Sequence, residues 1–329
     1  MKLISAPMAT ISHPAFRILV EKFGGCDEYY NEMINAASLL NKGPFEKFYI
    51  NPFPAPEKMV WQITGRDVPS MAKAACELSF LPGLGIDINM GCSAPEIVKS
   101  GAGIAWMLKD ISETECLVRE VRSALENCEA EVGVKRKRLS VKCRLGSDDF
   151  TESGFFLFTD MLVKNGVERI TLHPRTQKEK YRTRPRYEYA EELAFRYKNE
   201  GVEVVVNGDV SSQKTFLDVV SACPSCSAVM IGRASVQKPW IFAELKKIAL
   251  SKPIFLDELA FSYIEGIQKY QPPEFWKTRI KRFFSYYADN FSFAHYLKTR
   301  IMNASSVDET KLVLNEYFLK VPEDRMLNL

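Results

Sequence analysis

The chemistry-bearing stretch of this chain runs from Gly85 to Gly103, GIDINMGCSAPEIVKSGAG. Ile86 and Ile88 alternate with Asp87 and Asn89, the period-two pattern of a strand with one polar face. The pattern breaks at Gly91 and sets Cys92 on a loop that Pro95 closes. A cysteine inside an apolar run, as at Cys116 or Cys143, reads as core; one thrown past a strand end is placed to meet something outside it. On spacing alone both a catalytic and a core role stay open for Cys92, since cysteine is common in cores.

Met8 ends the first short apolar run, and polar residues recur at the ends of others: Asn31-Glu32, Gln62, Lys142 and Arg144, His173 and Arg175. Asn207-Gly208-Asp209 and Gly232-Arg233 end the last two runs, and their glycines would let backbone N–H groups approach a phosphate closely. Singly, each has a plain reading, because Lys142 can snorkel and Asn-Gly-Asp is a common turn. Cys223-Pro-Ser-Cys226 is a lone CxxC with the three histidines elsewhere in sequence, so it reads as a turn before a strand and no metal is expected.

The elements that would position these groups are eight strands, read at Leu3–Pro7, Glu28–Asn31, Met59–Ile63, Gly85–Asn89, Leu139–Cys143, Arg169–His173, Val204–Asn207 and Ala228–Ile231. Amphipathic helical patterns such as Ile111–Leu125 and Phe155–Lys164 lie between them. Eight strand–helix repeats favour a closed (β/α)8 TIM barrel, an α/β fold, with an open doubly wound sheet as the alternative. The open sheet would usually carry a GxGxxG turn after its first strand, where this chain has Ala6-Pro7-Met8-Ala9. In a barrel the active site lies at the C-terminal strand ends, with phosphate after strands seven and eight, where the polar residues fall.

From Leu256 the pattern becomes all-helical, with no convincing strand. The expected organisation is a barrel over residues 1–250 and a small helical domain over 251–329, with a linker near Ser251–Leu256 and Pro272-Pro273 between two helices. Ile280, Phe283, Phe284 and Tyr287 form one apolar stripe, with Lys277, Arg279, Lys281 and Arg282 largely outside it. The net charge of +3 arises wholly in residues 246–329, which hold 13 basic and 10 acidic residues. Six bases between Lys277 and Arg300 face Asp289 alone, which fits either a polyanion-binding patch or a solvated helix face. No apolar run approaches the ~18 residues of a membrane span. The N-terminus reads as a first strand, and eight scattered cysteines without framework spacing suggest reduced thiols in the cytoplasm.

Taken together these motifs resemble the tRNA-dihydrouridine synthase family over nearly the whole length. The resemblance rests on Ala6-Pro7-Met8 with Phe16-Arg17, Asn31-Glu32-Met33, Gln62-Ile63-Thr64-Gly65 and, most specifically, Asn89-Met90-Gly91-Cys92-Ser93-Ala94-Pro95. Lys142-Cys143-Arg144-Leu145-Gly146, His173-Pro174-Arg175-Thr176, Asn207-Gly208-Asp209 and Ile231-Gly232-Arg233 follow in order, with a similar C-terminal helix at Lys281-Arg282-Phe283-Phe284-Ser285-Tyr286-Tyr287. It implies an FMN-bound barrel that reduces the C5–C6 bond of uridine in tRNA with NADPH, and a C-terminal domain that grips tRNA. By the same resemblance Pro7, Met8 and Ala9 line the flavin, Gln62, Lys142 and His173 bond its polar edge, and Asn207, Gly208, Asp209, Gly232 and Arg233 hold its ribityl phosphate. Cys92 is then the proton donor, for which a neutral thiol with an ordinary pKa near ~8.5 is suited, and Asn89, Arg144 and Arg175 meet the target uridine or nearby phosphates. The target base must leave the tRNA stack, and backbone contacts from the Lys277–Arg300 region and the Lys178–Arg186 segment are expected to offset part of that cost. Two departures stand out: Ser93 replaces the usual Pro after the cysteine, and Thr183-Arg184 replaces a usual Gly. The alternative is an FMN barrel reducing a small molecule such as a dihydropyrimidine or an enone, which leaves the basic tail without a role. A monomer is expected.

Overall fold

Eight strands form the centre of the computed structural model, which describes residues 1–133, 135–147, 152–248 and 253–327. They are β1 (Lys2–Ser5), β2 (Glu28–Tyr30), β3 (Met59–Thr64), β4 (Gly85–Met90), β5 (Arg138–Arg144), β6 (Arg169–His173), β7 (Glu203–Asn207) and β8 (Ala228–Ile231). All pair in parallel in sequence order, and β1 pairs with both β2 and β8, so the sheet closes on itself. The open-sheet alternative is thereby excluded. A short pairing of Ile34 with Ile63 continues the course of β2 along β3.

Alternation along each strand divides the core in two. On β4, Ile86, Ile88 and Met90 pack outward under the helices, while Asp87 and Asn89 point into the barrel. Ile4, Tyr30, Val60, Val205, Ala228 and Met230 fill the interior with apolar atoms. Polar side chains close both ends of that plug, which is the layered interior expected of this fold.

At the N-terminal end Glu28 takes Arg169 in a bidentate pair and Arg138 at 2.7 Å. Burial alone would raise the Glu28 carboxyl, but the Arg169 hydrogen bonds and both arginine charges outweigh it and hold it at about 2. A carboxylate depressed in the folded state contributes stability above its unfolded pKa and loses it as the pH falls toward its folded one. Acidification from pH 5 to about 2 is therefore expected to remove on the order of 3 kcal/mol through this residue. Urea unfolding across that range should show a flatter acid slope in Glu28→Gln than in wild type; equal slopes would refute it.

The longer barrel helices are α1 (Pro14–Glu21), α2 (Val68–Ser79), α3 (Ile111–Val132), α4 (Glu152–Lys164), α5 (Tyr187–Arg196), α6 (Gln213–Ala222) and the short α7 (Arg233–Gln237). Their starts are written locally. The Asp67 side chain accepts from Ser70 N before α2, with Pro69 in the first turn, and Ser212 and Thr215 form a capping box on α6. Met71, Ala74, Ala75 and Leu78 give α2 its buried stripe. The expected Ile111–Leu125 helix extends to Val132 and stops at Gly133, which takes the left-handed conformation of a C-cap.

The expectation of eight thiols is corrected. Cys76 on α2 and Cys128 on α3 are joined in a disulfide, 52 residues apart in sequence. Successive βα units bring these two helices side by side, a neighbourhood that cysteine spacing does not reveal. Cys223 and Cys226 are buried in the turn before β8, their sulfurs toward the carbonyls of Tyr187 and Ala190.

Four helices complete the chain: α8 (Leu256–Tyr270), α9 (Pro273–Tyr287), α10 (Ala294–Asn303) and α11 (Val307–Lys320). The region also has a strand pairing that the all-helical reading lacked, Ile254–Phe255 antiparallel to Met326–Leu327. Residues 251 and 252 of the expected linker lie outside the described residues. α8 packs on α1 so closely that a Cβ on Gly266 would lie 2.9 Å from that of Ala15. Ile280, Phe283, Phe284 and Tyr287 are buried as the spacing predicts. Among the described residues no helix is long and apolar enough to cross a membrane.

Candidate active site

The C-terminal strand ends open into a cavity of about 840 Å³. Pro7, Met8 and Ala9 line it after β1, Gln62 from β3, and Asn89 and Cys92 from β4 and its loop. Lys142 and Arg144 reach it from β5 and His173 from β6. Asn207, Gly208 and Asp209 follow from β7, and Gly232 and Arg233 from β8. Parallel strands all point their C-terminal ends the same way, so residues dispersed over more than 220 positions meet at one mouth.

The Cys92 loop is held by backbone contacts on both sides. Asn89 Oδ1 accepts from Gly91 N at 3.2 Å and Cys92 N at 2.9 Å, and Cys92 O accepts from Ile104 N at 3.0 Å. Gly103, at φ +62°, passes so close that a Cβ would lie 2.6 Å from Cys92 O. Arg144 Nε donates to Gly91 O at 3.2 Å, tying β5 to the same loop. Cys92 is left half-buried with its thiol in the cavity wall.

Charge in the mouth is arranged around a neutral histidine. Burial, with Arg144, Lys142 and Arg175 adding to it, drives the His173 imidazolium far below its ordinary range, so the ring is uncharged at neutral pH. His173 Nε2 lies 3.0 Å from Arg175 Nη1. A guanidinium only donates, so Nε2 accepts and the ring proton sits on Nδ1. Burial, then the Arg144 charge, pulls the Lys142 ammonium down to about 8, against the opposing pull of Asp87. Lys142 Nζ has no hydrogen-bond or ion-pair partner among the described residues. Asp87 lies beneath, fully buried, its carboxyl raised to about 6 by burial despite hydrogen bonds from Ser140 and Gln62.

The family model for dihydrouridine synthase matches residues 4–305 of this chain. The chain belongs to the dihydrouridine synthase family. Among curated relatives, a probable tRNA-dihydrouridine synthase of Aquifex aeolicus is 30% identical over 249 residues, 75% of this chain and 73% of that protein. One of Staphylococcus aureus is 25% identical over 99% of this chain and 96% of its own. A solved 2-naphthoyl-CoA reductase–2-naphthoyl-CoA complex aligns with TM-score 0.52 at 11% identity, over 75% of this chain and 50% of that one, a likeness of fold alone.

One residue read from the sequence lies elsewhere in this chain. Arg175 stands behind the cavity wall, 1% exposed, its guanidinium committed to both Asp209 oxygens, to Thr183 O and to His173. It orients Asp209, which sits at φ +46° and also receives Arg233 Nη2 at 3.2 Å. Other lining residues were not read from the sequence. Arg282, Ser285, Tyr286 and Asp289 bring the α9 end of the helical domain into the cavity, and Tyr181 stands at its rim under the Arg233 guanidinium, 4.2 Å from the ring centroid. Arg282, Ser285, Tyr286 and Asp289 are spaced i, i+3, i+4, i+7, the same signal as the neighbouring apolar stripe shifted to the next face.

The basic patch is also revised. Arg279 is 2% exposed and pairs with buried Glu32, Lys298 pairs with Asp289, and Arg300 pairs with Glu316 at 2.6 Å. Of the six bases, Lys277 and Arg282 remain on the exposed surface.

Proposed function

We propose that the protein is a tRNA-dihydrouridine synthase that binds FMN, takes reducing equivalents from NADPH, and uses Cys92 as the proton donor to uridine. The observation that carries this reading is one cavity of a dihydrouridine synthase fold holding a loop thiol, an ammonium without a partner among the described residues and a neutral imidazole. Both curated relatives are named as probable tRNA-dihydrouridine synthases.

The donor set suits FMN. Gln62, Lys142 and the Nδ1–H of His173 offer hydrogen bonds and one positive charge to a polar ring edge, while Pro7, Met8 and Ala9 offer an apolar wall. Arg233 and the two glycine turns offer a cradle for phosphate. Gly208 takes φ +151°, and a Cβ there would lie 3.1 Å from Pro185; one on Gly232 would lie 3.5 Å from Ala6 and from the Met8 sulfur. When bound, FMN supplies the transfer of a hydride from NADPH to uracil C6.

The chain's own residues do the rest. Cys92 holds a proton on its loop sulfur and gives it to C5, and the thiolate left behind recovers a proton from water. Asn89 and Arg144 fix that loop and face the pyrimidine. Arg175 acts from behind through His173 and Asp209. The helical domain, residues 251–329 beside a catalytic barrel of 1–250, adds Arg282 and Tyr286 to the cavity and offers exposed Lys277 to tRNA, as the barrel offers exposed Lys180, Arg182 and Arg184. A monomer acting in the cytoplasm completes the proposal.

The test is an absorbance spectrum of the purified protein, bleaching by NADPH, and reoxidation by uridine-bearing tRNA against free uridine. A flavin band that NADPH bleaches and tRNA restores supports the reading. No flavin after reconstitution with FMN overturns it, and restoration by free uridine as fast as by tRNA would favour a small-molecule reductase. Lys142 is charged below about pH 8 and loses its proton above it. The NADPH half-reaction is therefore expected to slow as the pH rises through about 8, and Lys142→Met to be slow and flat across that range. A retained pH step in Lys142→Met would assign it to another group.

A further inference from the structure

We propose that Asp87 is a positioning residue that sets the direction of a buried amide relay ending on the Cys92 loop. It touches neither the cavity nor any reacting group; it acts through Gln62 and Asn89, and the inference rests on the reading of Cys92 as proton donor.

The relay is continuous in the barrel interior. Asp87 Oδ1 accepts from Ser140 Oγ at 2.6 Å, and Oδ2 accepts from Gln62 Nε2 at 2.8 Å. Gln62 Oε1 accepts from Asn89 Nδ2 at 2.9 Å, and Asn89 Oδ1 accepts from the N–H groups of Gly91 and Cys92. Each side-chain amide has two orientations that fill the same space and exchange donor for acceptor. The loop needs Asn89 with oxygen outward, and Asn89 can hold that only if Gln62 presents its oxygen inward. A carboxylate is an acceptor on both sides, so Asp87 forces Nε2 of Gln62 toward itself and fixes both amides by charge. Reversing Gln62 would set oxygen against oxygen.

The cost of this carboxylate supports a purpose beyond filling. Val60, Val205, Ala228 and Met230 fill the same interior with apolar atoms, and a buried charge without an ion pair is more costly than such packing. Lys142 and Arg138 exert a charge on Asp87 without bonding to it.

The experiment compares wild type, Asp87→Ala and Asp87→Asn, with Asp87→Leu in place of Asp87→Ala if the latter does not fold. The half-reactions are timed separately on the flavin-loaded enzyme. Alkylation of Cys92 by iodoacetamide is followed by peptide mass spectrometry on the free protein. In Asp87→Ala, reoxidation by tRNA is expected to slow about 10- to 100-fold while the NADPH step changes less than about threefold. Alkylation of Cys92 should change by at least about fivefold, because the loop N–H groups lose their fixed acceptor. Asn can still present an oxygen to Gln62 and its NH2 to Ser140, so Asp87→Asn should recover both readouts to within about fivefold of wild type. Equal losses in the two half-reactions, or alkylation unchanged in Asp87→Ala, would reduce Asp87 to a structural residue. A protein that takes up no flavin would sink the synthase reading instead, and the alkylation arm would still decide the role of Asp87.

Discussion

Cys92→Ala is expected to slow reoxidation of the NADPH-reduced enzyme by tRNA about 10²- to 10⁴-fold, the usual worth of a positioned general acid. The NADPH half-reaction should be unchanged, since no proton from Cys92 enters it. Reduction of the C5–C6 bond adds a hydride at one carbon and a proton at the next, so without the acid a negative charge must build on uracil with no partner. A competing donor is Lys142, whose ammonium is brought down to about 8 by burial. The two occupy different places: Lys142 stands on β5 opposite Asn89 of β4, and Cys92 stands on the loop beyond. His173 does not compete, because its neutral ring holds one proton on Nδ1 and spends Nε2 on Arg175. Stopped-flow absorbance on Cys92→Ala and Lys142→Met separates them. Tenfold or smaller loss in the first, with collapse of the second half-reaction in the other, would move the acid to Lys142.

How far the sequence carries depends on whether a feature is local. Lys142 between Val141 and Cys143, or Asn89 between Ile88 and Met90, announces itself as a polar group on a buried strand, and the parallel barrel then places it. Gly103 also has a local signature, although the reason for it, contact with Cys92 O, is tertiary. What failed to be legible depends on partners far away in sequence. Arg175 is read as reaching outward until Asp209, 34 positions on, claims it. Arg279 is the instructive case. Its spacing from Phe283 and Tyr287 puts it on the apolar stripe, but its charge argues for the surface, and charge was the wrong guide because Glu32 waits at the end of β2. The Cys76–Cys128 bond needs the adjacency of α2 and α3. The α9 residues in the cavity were written in the same periodicity as its core, one face over.

Arg279→Met carries the second large expectation, a loss of about 3–5 kcal/mol in unfolding free energy. Both partners are nearly enclosed, with side chains 3% and 5% exposed, so removing the arginine leaves a buried carboxylate without its ion-pair partner, the Arg17 charge acting on it only from a distance. Glu32 already feels burial more than attraction: its carboxyl is raised even with Arg279 beside it. Its other oxygen accepts from Thr10 N at 2.6 Å, and Thr10 sits at φ +63°, an unfavourable place for a β-branched residue. Glu32 thus holds the strained turn just after Pro7–Ala9, while Arg279 lies one turn before Arg282 on α9. One ion pair therefore joins two walls of the cavity, one from the barrel and one from the helical domain. Urea unfolding of Arg279→Met, Glu32→Leu and the double variant tests this. Each single change should be costly and the double should recover most of the loss, because packing apolar atoms in both places removes the stranded charge. If the double variant were as unstable as the sum of the singles, the pair would be two independent contacts, and tRNA binding should then be indifferent to it. If the coupling holds, the same single variants should raise KM for tRNA more than they lower the rate of NADPH reduction, since α9 moves relative to the barrel mouth while the ring-facing residues stay in place.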